Sequence, residues 1–141
     1  MKTLKSIILG LVMLVVCGAA KAADKPERLT KNYAITTYID AMSHGHLAGL
    51  KEVVDASAKF SMLRGKEVIS FSKGEMIDFL KASEDVEQAC TVSTSEVESN
   101  ENVTVVKVDM KYDTFTRSNY VTIANTTEGW KITNVYSSFS K

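Results

Sequence analysis

Across the last third of the chain Val, Thr and Tyr recur at alternate positions, and clusters of turn residues interrupt them at 99–102, 113–116 and 126–129. Alternation with a period of two is the mark of strands that bury one face, and turns this short join antiparallel neighbours. The pattern predicts four antiparallel strands, the first over residues 86–97. A four-residue loop at 126–129 pairs Asn125 with Trp130, and hence Ile123 with Ile132, Val121 with Asn134 and Asn119 with Tyr136. Across the 113–116 turn the same reasoning pairs Tyr112 with Arg117, Met110 with Asn119, Val108 with Val121 and Val106 with Ile123. Both turns, chosen independently, put the same apolar residues on one face. A slip of one residue would invert every side chain, so their agreement supports that face. The strand at 86–97 keeps two readings, with either Cys90 and Val92 or Thr91 and Ser93 turned inward.

Upstream the period changes to that of helices. Ile35, Tyr38, Ile39 and Met42 follow a three- and four-residue spacing behind a capping Thr30, which predicts a helix over residues 29–42. Ser43-His44-Gly45-His46 interrupts it, and Leu47, Leu50, Val53 and Val54 restart the period on a second helix. Residues 58–63 suit a short strand with Phe60 and Met62 on one face. Ser72-Lys73-Gly74-Glu75 is a capping box that opens a third helix, with Met76, Phe79 and Leu80 expected inward.

The first residues read differently. Lys2 and Lys5 precede an apolar run over 7–20 that ends in Ala20-Lys21-Ala22, the arrangement of a secretory signal peptide cleaved after Ala22. The run is shorter than the roughly 20 apolar residues that span a bilayer. The expected organisation is therefore a signal peptide at 1–22, one domain at 23–141, a periplasmic or extracellular location, and no stable membrane insertion. Within 141 residues, 17 basic and 17 acidic side chains and a single proline exclude a repeat array and a disordered tail. No basic stripe is interleaved with aromatics, so nucleic acid is not an expected partner. Cleavage removes Cys17 and leaves Cys90 without a partner for an internal disulfide; a buried, unreactive thiol is the simpler reading. The triplets starting at Asn102 and Asn125 match the glycosylation acceptor pattern, but such matches arise readily by chance.

Several stretches carry a family resemblance: Tyr38-Ile39-Asp40-Ala41-Met42, then Gly45, Leu50, Val53, Val54, Asp55 and Lys59-Phe60, and finally Asn119-Tyr120-Val121-Thr122-Ile123 with Gly129-Trp130-Lys131-Ile132. Together they resemble the secreted bacterial, putative lumazine-binding branch of the nuclear transport factor 2-like superfamily. The chain departs from that branch at Asn119, where an acid is frequent, and at His46, where an aspartate is frequent. The resemblance implies an α+β fold, with three N-terminal helices packed in a curved, mainly antiparallel sheet that forms a cone with a cavity at its wide end. Val106, Val108, Val121, Ile123, Trp130 and Ile132 would fill the closed end. Tyr38, Phe60, Tyr112, Asn119, Asn134 and Tyr136 would line the other and bind a small, partly apolar molecule.

Enzymes of this superfamily use acid–base groups in that cavity, among them ketosteroid isomerase, scytalone dehydratase and polyketide cyclases. Residues 58–63 contain no acid to serve an isomerase, and the two histidines, His44 and His46, lie in a helical turn with no acid or cysteine at ligand spacing. Asp40 falls on the polar face of the first helix, and Lys107 and Asp109 point away from the core. The expectation is thus a binding module without catalytic residues, metal or cofactor, with a dehydratase or cyclase, or a domain whose cavity is filled, as alternatives. The convex sheet face carries Val105, Tyr120, Thr122, Thr133 and Val135 and is expected to form a homodimer centred on Tyr120 and Val135.

Overall fold

The computed structural model describes residues 29–141, so the expected signal segment lies outside the described residues. Helix α1 (Lys31–His44) starts where Thr30 Oγ1 accepts from the Tyr33 amide at 3.1 Å, and stops where Gly45 adopts φ 71°. That left-handed turn is one a side chain resists, and the Gly45 amide closes it by donating to the Ala41 carbonyl. The second helix is shorter than the sequence suggests. Only Leu50–Val53 (α2) is helical, because Val54 is already extended and begins β1 (Val54–Arg64). Adjacent β-branched residues favour that switch.

A tight turn at Gly65 (φ 64°) then leads into β2 (Glu67–Ser72), a strand absent from the sequence reading. Ser72 caps α3 (Lys73–Lys81) with both bonds of the capping box in place: its hydroxyl accepts from the Glu75 amide, and its own amide donates to the Glu75 carboxylate at 2.8 Å. All three described helices lie on the N-terminal side of the chain, with the β1–β2 hairpin between α2 and α3. Met76, Ile77 and Leu80 are the buried residues of α3, whereas Phe79 is 71% exposed, contrary to its expected inward position. The helix packs through its 76/77/80 stripe, and position 79 falls just beyond that stripe.

β3 (Thr91–Ser99), β4 (Val103–Lys111), β5 (Thr116–Thr126) and β6 (Gly129–Ser140) complete a curved six-stranded sheet in the order β2-β1-β6-β5-β4-β3. Every pairing is antiparallel except β1 with β6. The α+β architecture and the curved, mainly antiparallel sheet are those expected. Ala34, Tyr38 and Ala41 of α1 pack with Val106, Val108, Val121, Ile123, Ile132 and Val135 of the sheet into one core. Trp130 packs at its margin under the Lys31 ammonium, 5.3 Å from the ring centre.

Two register differences matter for the site. Asn125 does pair with Trp130 and Ile123 with Ile132, but a bulge between Thr122 and Ile123 then pairs Thr122 with Asn134, Val121 with Val135, Tyr120 with Tyr136 and Asn119 with Ser137. One extra residue in β6 turns Val135 and Ser137 inward and moves Asn134 and Tyr136 to the opposite face. In the β4–β5 hairpin the shift is two residues: Met110 pairs with Arg117, Val108 with Asn119, Val106 with Val121 and Thr104 with Ile123. An even shift preserves the inward face. Val92 pairs with inward-facing Met110 and packs against the core, which settles the ambiguity in the first strand in favour of Cys90 and Val92.

Candidate functional site

Between α1, α3 and the inner face of the sheet lies a cavity of about 360 Å³, within the range of small-molecule sites. Four methionines supply much of its wall: Met42 from α1, Met62 from β1, Met76 from α3 and Met110 from β4. Phe71, Phe79, Leu80 and Val86 extend the apolar surface. Thioether side chains are flexible and polarisable, so such a wall adapts to the shape of its occupant. The polar groups are Arg64, Ser83, Gln88, Tyr112 and Arg117, and among the described residues no Asp, Glu or His lines the cavity.

Arg117 enters at the start of β5 on the inward parity it shares with Asn119 and Val121. Its Nε donates to Asn119 Oδ1 at 2.9 Å, and Nη2 donates to Ser137 Oγ at 3.4 Å. Asn119, with no solvent-accessible surface, is in turn fixed on both sides: its Oδ1 also accepts from the Ser137 hydroxyl at 2.6 Å, and its Nδ2 donates to the Val108 carbonyl at 3.2 Å. The guanidinium carbon stands 5.7 Å from the Phe139 ring centre, in a row of aromatics continued by Phe115 and Tyr112. Tyr112 donates its hydroxyl to Gln88 Oε1 at 3.0 Å. Burial raises the Tyr112 pKa, the neighbouring Cys90 adds to the rise, and the Arg117 charge opposes it.

The residues expected at the site divide into three groups. Tyr112 lines the cavity. Tyr38, Phe60 and Asn119 are buried beside it in the core, Asn119 acting through Arg117. Burial pushes the Tyr38 phenol up to about 12, and the charge of Arg117 offsets part of that rise. Asn134 and Tyr136 belong to the opposite face, paired with Thr122 and Tyr120, for the reason given by the bulge. What the sequence reading missed is Arg117 and the methionine wall. The signal for Arg117 was its parity with Asn119, Val121 and Ile123.

The two histidines are less isolated than their spacing implies. His44 Nδ1 lies 3.1 Å and His46 Nδ1 3.2 Å from the two oxygens of Asp40, and His44 Nε2 lies 3.8 Å from Glu87. Asp40 stands four residues before His44 on α1, a spacing at which helical side chains meet, so it is an acid the sequence already offers, and the fold brings Glu87 to the other side of the ring. Among the described residues, however, no group of three or more His, Cys, Asp or Glu side chains could hold a metal ion. All four of these residues are solvent-exposed, which agrees with a polar turn.

Comparison with known proteins adds the family. A family model described as putative lumazine-binding matches residues 28–137. No curated protein matches the sequence. Among solved structures, a nuclear transport factor 2-like protein of unknown function from Silicibacter pomeroyi is similar at 16% identity and TM-score 0.65, over 77% of this chain and 92% of that one. A cystatin-like fold protein from Burkholderia xenovorans is 15% identical with TM-score 0.61, over 82% and 93% of the two chains. A putative ketosteroid isomerase from Parabacteroides distasonis is 14% identical with TM-score 0.56, over 77% and 86%. At these identities the likeness is one of fold.

Proposed function

The chain belongs to the putative lumazine-binding family of the nuclear transport factor 2-like superfamily, and from that premise we propose that it is an exported, non-catalytic module that holds a small, partly apolar molecule in its cavity. The observation that carries this reading is the cavity itself: an apolar, methionine-rich wall facing a cluster of Arg117, Tyr112 and Gln88. A lining without carboxylate or imidazole favours holding a molecule over moving protons within it, since a dehydratase or cyclase needs such a group against its substrate. The family description makes lumazine a first probe.

Native mass spectrometry of the purified protein tests the proposal. A retained ligand adds mass that Met62→Trp, which fills the cavity, removes, and that Asn134→Leu, on the opposite face, leaves in place. Absence of added mass together with absence of probe binding in solution overturns it. The second part of the proposal is a homodimer through the convex face. Its expected centre at Val135 does not survive, because Val135 is buried inward; Tyr120, 37% exposed, and its cross-strand neighbour Tyr136 take that place. Sedimentation velocity on the native chain and on Tyr120→Glu checks it, the substitution being expected to shift the dimer to monomer.

A further inference from the structure

The charge balance of the cavity specifies more than a partly apolar occupant. Arg117 carries a permanent positive charge on the wall of a largely apolar cavity, and neither Arg117 nor Arg64, the two cations in the lining, takes part in any ion pair among the described residues. Of the five N–H groups of the Arg117 guanidinium, one is held by Asn119 and one by Ser137, which leaves three without a protein acceptor among the described residues. The residue that fixes it, Asn119, is neutral. An aspartate there would have supplied a counter-ion from inside, whereas the carboxamide orients the guanidinium and leaves its charge uncompensated.

A partly desolvated charge of this kind is stabilised by an anion that reaches it, and a planar carboxylate matches two of the free N–H groups at once. We infer that the cavity takes an amphipathic monoanion, with its carboxylate or equivalent acid group on Arg117 and its apolar body along Met42, Met62, Met76 and Phe71. This rests on the proposal that the cavity binds a small molecule, and it adds the chemical class. Arg117 would select the headgroup, while the flexible thioethers accept more than one shape of tail. Asn119 is a positioning residue in this scheme, since it acts only through Arg117.

Isothermal titration of the purified protein with decanoate, decanol and decylamine separates the terms, because the three probes share one apolar tail. Decanoate is expected to bind at least about tenfold more tightly than decanol, with decylamine weakest. Arg117→Met should bring decanoate to the level of decanol without changing the affinity for decanol, which also shows that the cavity remains folded. Should that variant fail to fold, Asn119→Asp is the second test. By supplying an internal counter-ion it should weaken decanoate at least about tenfold and spare decanol. Equal binding of decanoate and decanol, or equal loss of both in Arg117→Met, overturns the inference and leaves the cavity proposal standing. Failure of both probes to bind overturns the two together.

Discussion

Asn119 Oδ1 accepts from Arg117 Nε at 2.9 Å and from the Ser137 hydroxyl at 2.6 Å, so one buried carboxamide sets the position of a guanidinium on the cavity wall. Replacing it with Leu leaves the buried Ser137 hydroxyl and the partly buried Arg117 Nε without their acceptor. Leaving buried donors unsatisfied costs about 1–3 kcal/mol. Asn119→Leu is accordingly expected to lower the unfolding free energy by that amount, measured by urea unfolding. Unchanged stability would show that the pair is held by other contacts.

Tyr38 predicts an alkaline transition. In the unfolded chain the phenol ionises near its ordinary value of 10.0, whereas in the folded protein burial holds it to about 12. The raised value means that stability is fully present below pH 10 and is lost as pH rises from there through the folded value, by about 2–3 kcal/mol in all. Tyr38→Phe should abolish this loss without altering stability at neutral pH by a comparable amount. Chemical denaturation at several pH values, with ultraviolet absorbance following phenolate formation, measures both. The same fall in Tyr38→Phe would assign it to another group.

Gly45 ends α1 and lines the cavity, with no room for a side chain. An added Cβ would stand 2.6 Å from the Asp85 amide nitrogen, 2.8 Å from that of Val86 and 2.9 Å from the Ser83 carbonyl, at a φ of 71°. All three are backbone atoms and cannot swing away, and the conformation itself disfavours Ala by about 1 kcal/mol. Gly45→Ala is expected to destabilise by more than about 2 kcal/mol in thermal or urea unfolding. Gly74→Ala, where an added Cβ meets nothing within 4 Å, provides the contrast, with little loss.

Phe79 separates site from core. It is exposed to 71% yet lines the cavity, so it contributes little to folding and more to whatever enters. Phe79→Ser should change stability by no more than about 0.5 kcal/mol while weakening decanol and decanoate alike by severalfold. A large stability loss with unaltered binding would move the cavity entrance elsewhere.

The fold was largely legible because its strongest signals are parities and caps. Thr30 and Ser72 mark their helices from sequence, and the inward face through Val106, Val108, Val121 and Ile123 survived a two-residue slide of β4 against β5 because an even shift preserves parity. The site was less legible for the converse reason. One unpaired residue between Ile132 and Val135 reverses parity, and it carried Asn134 and Tyr136 out of the expected site. The three-residue step between these two apolar residues was the available clue. Arg117 had the inward parity throughout, but a charged residue beside a turn reads as solvated until the surrounding wall is known. β2 carries a weaker signal, with only Val68, Ile69 and Phe71 after the Gly65 turn, and its strand supplies Phe71 to the cavity.

The order β2-β1-β6-β5-β4-β3 also sets a timetable. β1 has its second neighbour only in β6, the final strand of the sequence, so the early hairpin waits with an open edge until that strand has emerged. The meander β3–β5 can assemble from local contacts, but the two halves become one sheet only through the most distant strand pairing among the described residues. Closure of the six-stranded sheet thus depends on a contact between its earliest and latest described strands, the kind of long-range pairing that slows folding.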